Sequence, residues 1–189
     1  MKEIVFVTSN KGKIESAQRD LIDVKVISYP FDLIEPRSDD IQEIAKYKVV
    51  QAYEKVGKPC IAMDSGFFIE ALNGFPRANV NFGLETIGID DMLYLMKIKT
   101  NKNCEFRECL AYYDGNEINY FHGTLKGTLA EERRGKPDKS NWSELCYVFE
   151  VPEINKTIAE MTQDERKEYC GNETASCFNP FSEWFNKKM

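Results

Sequence analysis

Two acidic residues and one lysine-bearing turn carry most of the chemistry that this 189-residue sequence offers. Glu35 stands in Leu33-Ile34-Glu35-Pro36 and Asp64 in Ala62-Met63-Asp64-Ser65-Gly66, each at the edge of a regular element among turn-formers. The turn is Thr8-Ser9-Asn10-Lys11-Gly12-Lys13, placed between the apolar run from Ile4 to Val7 and the helical pattern that opens with Ile14-Glu15-Ser16. Such a sequence lets a strand deliver an anion to the unpaired backbone amides of a helix N-terminus, with lysine nearby. A hard cation such as Mg²⁺ takes one or two carboxylates together with phosphate oxygens and water. Glu35 and Asp64 facing the turn would therefore make a metal-assisted phosphate site, in which Asp64 could also orient or deprotonate a water. Plainer readings stand beside these: a capped surface turn with solvated lysines, a cap or turn residue at Asp64, a surface charge at Glu35. The turn also lacks the second glycine and the Gly-Lys-Ser/Thr ending of a Walker loop.

The elements that must hold these residues follow from periodicity. Ile4 to Val7 and Val24 to Ser28 read as strands around a helix from Lys11 to Leu21, a βαβ opening that favours an α/β sheet. Asp39 and Asp40 can cap a helix running to Val56, with Ile41, Ile44, Ala45, Val49 and Ala52 along one face. Cys60 to Met63 reads as a short strand that stops at Asp64-Ser65-Gly66, with extended structure resuming from Phe67 to Ile69. Asn79 to Ile87 and Asp91 to Lys97 have helical spacing. Glu105 to Tyr113 and Glu117 to Thr128 alternate around Asp114-Gly115-Asn116 as a hairpin. Glu131 to Asn141 is the most loop-like stretch, and Glu144 to Val151 reads as a strand. Thr162 to Cys170 starts a helix that Gly171 and then Asn179-Pro180 make hard to continue.

A hydrophobic content of 42% over this length supports one domain with a substantial core, or two lobes sharing one sheet; a single folding unit, residues 1–189, is expected. A net charge of −6 and a pI near 5.0 argue against a general binder of nucleic acid polymers or anionic membranes. The absence of an export signal or a long apolar window points to an intracellular, cytoplasmic protein. Cysteines 60, 104, 109, 146, 170 and 177 form no Cys-x-x-Cys pair, and His122 cannot complete a metal set with them, so free thiols are expected; a Cys170–Cys177 bridge is the alternative.

Over residues 1 to 130 the chain resembles the inosine triphosphate pyrophosphatase family, most closely its archaeal-type members. The likeness rests on Thr8-Ser9-Asn10-Lys11-Gly12-Lys13-Ile14-Glu15, on Ile27-Ser28-Tyr29-Pro30 followed by Glu35, and on Glu43-Ile44-Ala45. It rests most heavily on the unbroken run from Asp64 to Pro76, with Glu85-Thr86-Ile87-Gly88 behind it; Lys126-Gly127 and Ile158-Ala159-Glu160-Met161-Thr162 add weaker agreement. The resemblance implies an elongated two-lobed α/β fold around a long twisted mixed sheet with flanking helices and a nucleotide cleft between the lobes. It further implies a homodimer and Mg²⁺-dependent cleavage of a nucleoside triphosphate to monophosphate and pyrophosphate. Carried over by position, Ser9, Asn10 and Lys13 would bind the triphosphate, Lys13 contributing to catalysis. Glu35 would bind metal, Asp64 would bind metal and activate water, and Ser65 and Gly66 would shape the adjacent turn against the substrate.

The chain also departs from the family pattern. Met63 stands where most relatives carry a second acidic residue, and Arg77-Ala78-Asn79-Val80 where Gly and an aromatic-Ser pair are common. Trp142-Ser143-Glu144-Leu145-Cys146-Tyr147-Val148-Phe149 replaces a Phe-Gly-Tyr-Asp-Pro segment, and Tyr169-Cys170-Gly171-Asn172 replaces the Ser-His-Arg that holds a 6-oxo purine. Arg166 stands where a phosphate-contacting lysine is usual, and can bind phosphate bidentately. Buried groups that match the base edge set base specificity, so its change from inosine or xanthosine triphosphate is expected. Trp142, Tyr147 and Phe178 are either stacking partners for a base or core. Alternatives to the pyrophosphatase are a catalytically silent nucleotide-binding or partner-binding homologue and a hydrolase of other nucleotides or phosphate esters.

Overall fold

The fold opens with β1 (Lys2–Val7), α1 (Lys11–Asp20) and β2 (Val24–Tyr29), and β1 pairs in parallel with β2 in the register Phe6 to Ser28. This computed structural model describes residues 2–21 and 23–188. α2 (Ile41–Val56) starts where Asp40 accepts the amides of Gln42 and Glu43, and ends at Gly57, whose left-handed backbone (φ 64°) suits glycine. β3 (Cys60–Ile69) then pairs in parallel with β1, and β4 (Pro76–Arg77) folds back antiparallel onto Phe67 and Phe68. α3 (Val80–Thr86) and α4 (Gly88–Met96) precede β5 (Asn103–Tyr113) and β6 (Ile118–Leu129). β7 (Phe149–Val151), β8 (Lys156–Thr157), α5 (Gln163–Cys170) and α6 (Phe178–Lys188) complete the chain. Eight strands form one mixed sheet in the order β2-β1-β3-β5-β6-β7-β8, with β4 on β3, so the expected mixed α/β class holds.

Two local expectations are corrected and a third holds. β3 does not stop at Asp64: it runs ten residues without a break, so Asp64, Ser65 and Gly66 are mid-strand and form no turn. Gly66 serves close packing instead, since a Cβ there would meet the Arg77 carbonyl oxygen at 2.8 Å and the Phe68 ring at 2.7 Å. Glu144 to Tyr147 is a short 3₁₀ turn capped by Ser143, leaving only Phe149–Val151 as strand. As expected, the helix that starts after Thr162 does not continue past Cys170, and Pro180 sits in the first turn of a separate helix, α6, where a missing N–H costs no intrahelical bond.

The chain divides into two compact units whose boundaries fall within β3, β5 and β6: residues 1–65, 108–124 and 171–189, and residues 66–107 and 125–170. In the first unit Ile4, Phe6, Ile61, Met63, Leu110 and Tyr112 present one sheet face to Ala17 of α1 and to Phe178, Phe181 and Phe185 of α6. Alternation sends Cys60, Ala62 and Asp64 to the opposite face, where the Cys60 thiol reaches the Val49 carbonyl of α2. The second unit is built around Phe67, Ile69, Met92, Phe149, Val151 and Ile158, with Phe106 4.8 Å from Phe67 and 4.9 Å from Phe149 between ring centroids. All six cysteines are buried free thiols, so the Cys170–Cys177 bridge is not formed. Burial pushes the Cys60 and Cys109 thiols up to about 12, the charges of Asp40 and Asp64 adding to it at Cys109. No helix among the described residues is long and apolar enough to cross a membrane.

Candidate functional site

Glu35 and Asp64 meet at one ammonium. Lys48 Nζ donates to Glu35 Oε1 at 2.5 Å and to Asp64 Oδ1 at 3.1 Å, so the two oxygens cannot lie further apart than the sum of these distances. Each residue arrives by a different route. Asp64 is 5% exposed on the α2-covered face of β3. Lys48 lies on the inward stripe of α2 among Ile44, Ala45, Val49 and Ala52. Glu35, exposed, comes from the loop between β2 and α2, where Gln51 of α2 grips both backbone groups of Ile34. Its Oε1 accepts the Ile34 amide at 3.0 Å, and its Nε2 donates to the Ile34 carbonyl at 2.7 Å. Lys48 and Gln51 are three residues apart and share one helix face, so a single turn of α2 holds both the ion-pair centre and the loop.

The sequence reading missed Lys48 and Gln51, although the signal was present. Lys48 falls four residues after Ile44, inside the apolar stripe, and an ammonium is rarely buried without a partner.

The phosphate-type turn lies at the N-terminus of α1. Asn10 caps the helix, its Oδ1 accepting the Lys13 amide at 3.1 Å, while the Asn10 amide donates to Thr8 Oγ1. Ser9 and Asn10 are exposed. Lys13 is half-buried and its Nζ donates to the Met63 carbonyl at 3.3 Å, which ties the first turn of α1 to the strand residue before Asp64. Lys13, Glu35 and Asp64 are thus brought together around Lys48, with Ser9 and Asn10 at the head of the helix. Ser65, half-buried, follows Asp64 in the strand. Gly66 and Arg166 belong to the other unit.

Burial pushes the Asp64 carboxyl above its ordinary value against the pull of Lys13 and Lys48, with the Glu35 charge raising it further. Burial also lowers the Lys13 ammonium, and the nearby Lys48 charge lowers it more, while Asp64, Glu35 and Glu108 act the other way. Opposed shifts on an acid and a base at one place are a mark of functional sites. Two carboxylates converging on one cation position suit a hard divalent ion, and no group of three or more His, Cys, Asp or Glu among the described residues could hold a metal. The protein therefore offers a partial oxygen shell of the kind Mg²⁺ completes with phosphate and water.

Several expected site residues sit differently. Arg166, 4% exposed, donates through Nη1 to the Ser140 carbonyl at 2.9 Å and through Nη2 to Asn141 Oδ1 at 2.5 Å, within its own unit, while its buried Nε has no hydrogen-bond partner among the described residues. Met63, 3% exposed, extends to the α1/α6 face, away from the Asp64 face. Phe178 is core, whereas Trp142 is 44% exposed with its ring 6.4 Å from Phe106. Asn172 uses its side chain on its own loop, Oδ1 accepting from the Thr174 and Ala175 amides.

The chain is 31% identical to the dITP/XTP pyrophosphatase of Thermococcus kodakarensis over 98% of both chains. It is 33% identical to that of Methanosarcina mazei, again over 98% of both. Among solved structures it resembles the Staphylococcus aureus Ham1 protein, with TM-score 0.80, 26% identity and full coverage of both chains. The Coxiella burnetii HAM1 protein shares the fold at TM-score 0.82 and 23% identity, over 99% of this chain and 100% of that one. The Ham1 family model matches residues 4–175, and with a lysine turn, two converging carboxylates and relatives of this kind over its whole length, the chain belongs to the Ham1 family.

Proposed function

We propose that the protein is a Mg²⁺-dependent nucleoside triphosphate pyrophosphatase, releasing a nucleoside monophosphate and pyrophosphate, with a base preference that differs from that of the dITP/XTP enzymes it resembles. The observation that carries this reading is the Glu35–Lys48–Asp64 arrangement, which gathers two carboxylates at one cation beside the helix N-terminus that bears Lys13. Glu35 and Asp64 would hold the metal, which when bound supplies charge neutralisation at the phosphate oxygens. Ser9, Asn10, Lys13 and the first amides of α1 bind the triphosphate, the helix terminus and the lysine complementing its charge. Asp64 in its ionised form orients a water toward the α-phosphorus and accepts its proton as the bond to the α,β-bridging oxygen breaks and pyrophosphate leaves. Positioning and charge, rather than a covalent intermediate, carry this chemistry.

Two observations bear on the departures from the family pattern. Met63 faces the opposite side of β3 from Asp64, so the methionine leaves the Glu35–Lys48–Asp64 group whole. Asn172, in place of part of a base-reading segment, is engaged in its own loop, which favours an altered base preference. We further place the protein as a homodimer in the reducing cytoplasm, its six buried thiols being consistent with that compartment. The test is a panel of ribo- and deoxyribonucleoside triphosphates, deaminated purines included, incubated with Mg²⁺ while monophosphate, pyrophosphate and phosphate are resolved. Monophosphate with pyrophosphate from any member is the expected result. Nucleotide binding without turnover would instead favour the silent homologue.

A further inference from the structure

Apolar surface is unevenly spread over the protein. Of the nine exposed large hydrophobic side chains among the described residues, five fall between residues 82 and 98, in α3, α4 and the residues that join and follow them. α4 and the turn after it carry two apolar stripes. Ile89, Met92, Leu93 and Met96, at positions i, i+3, i+4 and i+7, form the inward one and belong to the core of the second unit. Asp91, Tyr94, Leu95 and Ile98 repeat the same spacing on the opposite side, with Tyr94 68%, Leu95 45% and Ile98 86% exposed. The path stays helical through Lys97, whose amide donates to the Tyr94 carbonyl at 3.1 Å, so Ile98 continues the outer stripe. A surface helix normally turns charged and polar residues to that side. Large apolar residues gathered there mark a surface that another molecule covers.

Charge along this stripe selects the molecule. Its N-terminal end is acidic, with Asp91 on the stripe and Asp90 beside it, the latter paired with Arg133 at 2.8 Å. Its C-terminal end is basic: Lys97 and Lys99 flank Ile98, and Lys97 Nζ stands 5.4 Å from the centre of the Tyr94 ring. Such a polarity is complementary to itself when the helix meets a copy running in the opposite direction. A two-fold axis between Tyr94 and Leu95 brings Asp91 opposite Ile98 of the other copy, between that copy's Lys97 and Lys99. Both ends of the contact then pair acid with base, and the three apolar side chains of each copy meet in the middle. A parallel pairing would set acid against acid. A lipid surface fits poorly, since the chain has a net charge of −6 and an acid opens the stripe.

We propose that the outer stripe of α4 is the contact through which two copies of this chain pair, antiparallel and about a two-fold axis between Tyr94 and Leu95. The proposal rests on the homodimer placed above and names the face that makes it. A stable pair commonly buries about 800 Å² per partner, more than this stripe supplies, so dissociation in the micromolar range is expected.

The experiment is sedimentation equilibrium of the full chain, which reads the dimer dissociation constant, with circular dichroism as the check on folding. Tyr94→Lys combined with Ile98→Lys should raise that constant about tenfold or more. So should either charge reversal alone, Asp91→Lys or the pair Lys97→Glu with Lys99→Glu, since each sets like charges against each other. An equimolar mixture of the two charge-reversed proteins should recover pairing near the wild-type affinity, because one stripe is then wholly basic and the other wholly acidic. No contact elsewhere on the molecule produces that recovery. Leu95→Cys adds a thiol beside the axis to a chain whose six cysteines are buried, and copper-phenanthroline oxidation should join two copies through it. A wild type that stays monomeric at its highest soluble concentration would overturn the proposal together with the homodimer reading. A dimer whose constant none of these variants moves, or one that Leu95→Cys does not cross-link, would overturn the proposal and leave the homodimer reading in place. Should the double lysine variant fail to fold, the charge-reversed pair supplies the same comparison.

Discussion

Among the described residues, Lys48 is the most fully buried cation of the first unit and Arg166 that of the second, and the two are used in opposite ways. Lys48 in the first unit is 9% exposed and divides its ammonium between Glu35 and Asp64, two carboxylates from separate segments. Arg166 in the second is 4% exposed and divides its guanidinium between a backbone carbonyl and an amide oxygen of adjacent residues, Ser140 and Asn141. A cation between two acids leaves a place where another cation can compete, with strong charge held ready. A cation between neutral acceptors pins a loop. On the function proposed above, the difference separates a site arranged for chemistry from one arranged for shape.

The sharpest way to break this comparison is to remove the acid on which the proposed chemistry depends. Asp64→Asn keeps the hydrogen bond from Lys48 and the shape of β3 but removes the charge, and should cut kcat/KM by about 10³-fold, roughly 4 kcal/mol of transition-state stabilisation. Circular dichroism and the melting temperature should stay close to wild type. Full activity in a folded Asp64→Asn protein would leave the first unit no more catalytic than the second.

Arg166→Met should act on the fold. Removing the buried guanidinium strands the Ser140 carbonyl and Asn141, and a loss of about 2–4 kcal/mol is expected, read from the urea midpoint. A tenfold rise in KM with an unchanged midpoint would return Arg166 to the phosphate contacts that its sequence position suggests, and would dissolve the contrast with Lys48.

Lys48→Met should have a smaller effect, at about 10–100-fold in kcat/KM. Its sign in pH is fixed by the geometry. Lys48 lowers the Asp64 carboxyl against burial, so without it Asp64 titrates higher still, and the acid limb of the kcat/KM profile should move to higher pH. A limb that stays in place would mean that the Lys48–Asp64 contact does not govern the ionisation that matters.

How much of this was legible in the sequence follows the same division. Turn, cap and periodicity are local properties, so the βαβ opening, the Asp40 cap and the Asp114-Gly115-Asn116 hairpin could be read directly. Lys13, Glu35 and Asp64 were legible as types in suitable settings. Their meeting point was not, because Lys48 looks like an ordinary helix lysine until the buried stripe of α2 is placed against β3. Asp64-Ser65-Gly66 imitates a turn, but Gly66 is there for the approach of the Arg77 backbone, a contact eleven residues away that composition does not reveal. Arg166 shows a related limit: the sequence records a cation where phosphate contacts are usual, but not the loop that folds back onto it. Asn179-Pro180 reads as a breaker unless it is known to begin a helix.

The smallest effect serves as a control: a charge in the first unit that has no part in the chemistry. Asp114 closes the β5–β6 turn, its Oδ1 accepting the Asn116 and Glu117 amides at 3.0 Å each, and its Oδ2 the Lys188 ammonium at 3.0 Å. The two amide bonds, Glu117 first, and then Lys188 hold its carboxyl down to about 2, from an ordinary value of 3.8. A folded-state value below the unfolded one stabilises the protein above the unfolded value, and the gain is lost as pH falls from about 4 toward 2. The side chain keeps 22% exposure, so after allowance for solvent screening about 1 kcal/mol is expected. Asp114→Asn retains an acceptor for the two amides and removes the charge, so its urea midpoint should lie slightly below wild type at pH 7, with the gap closing as the pH is lowered through 4 to 3. Lys48→Met should show its pH dependence in kcat/KM, and Asp114→Asn only in stability. If Asp114→Asn also moved the kinetic profile, charge in this unit would be felt at the site from a distance, and the short-range contacts of Lys48 would no longer set it apart.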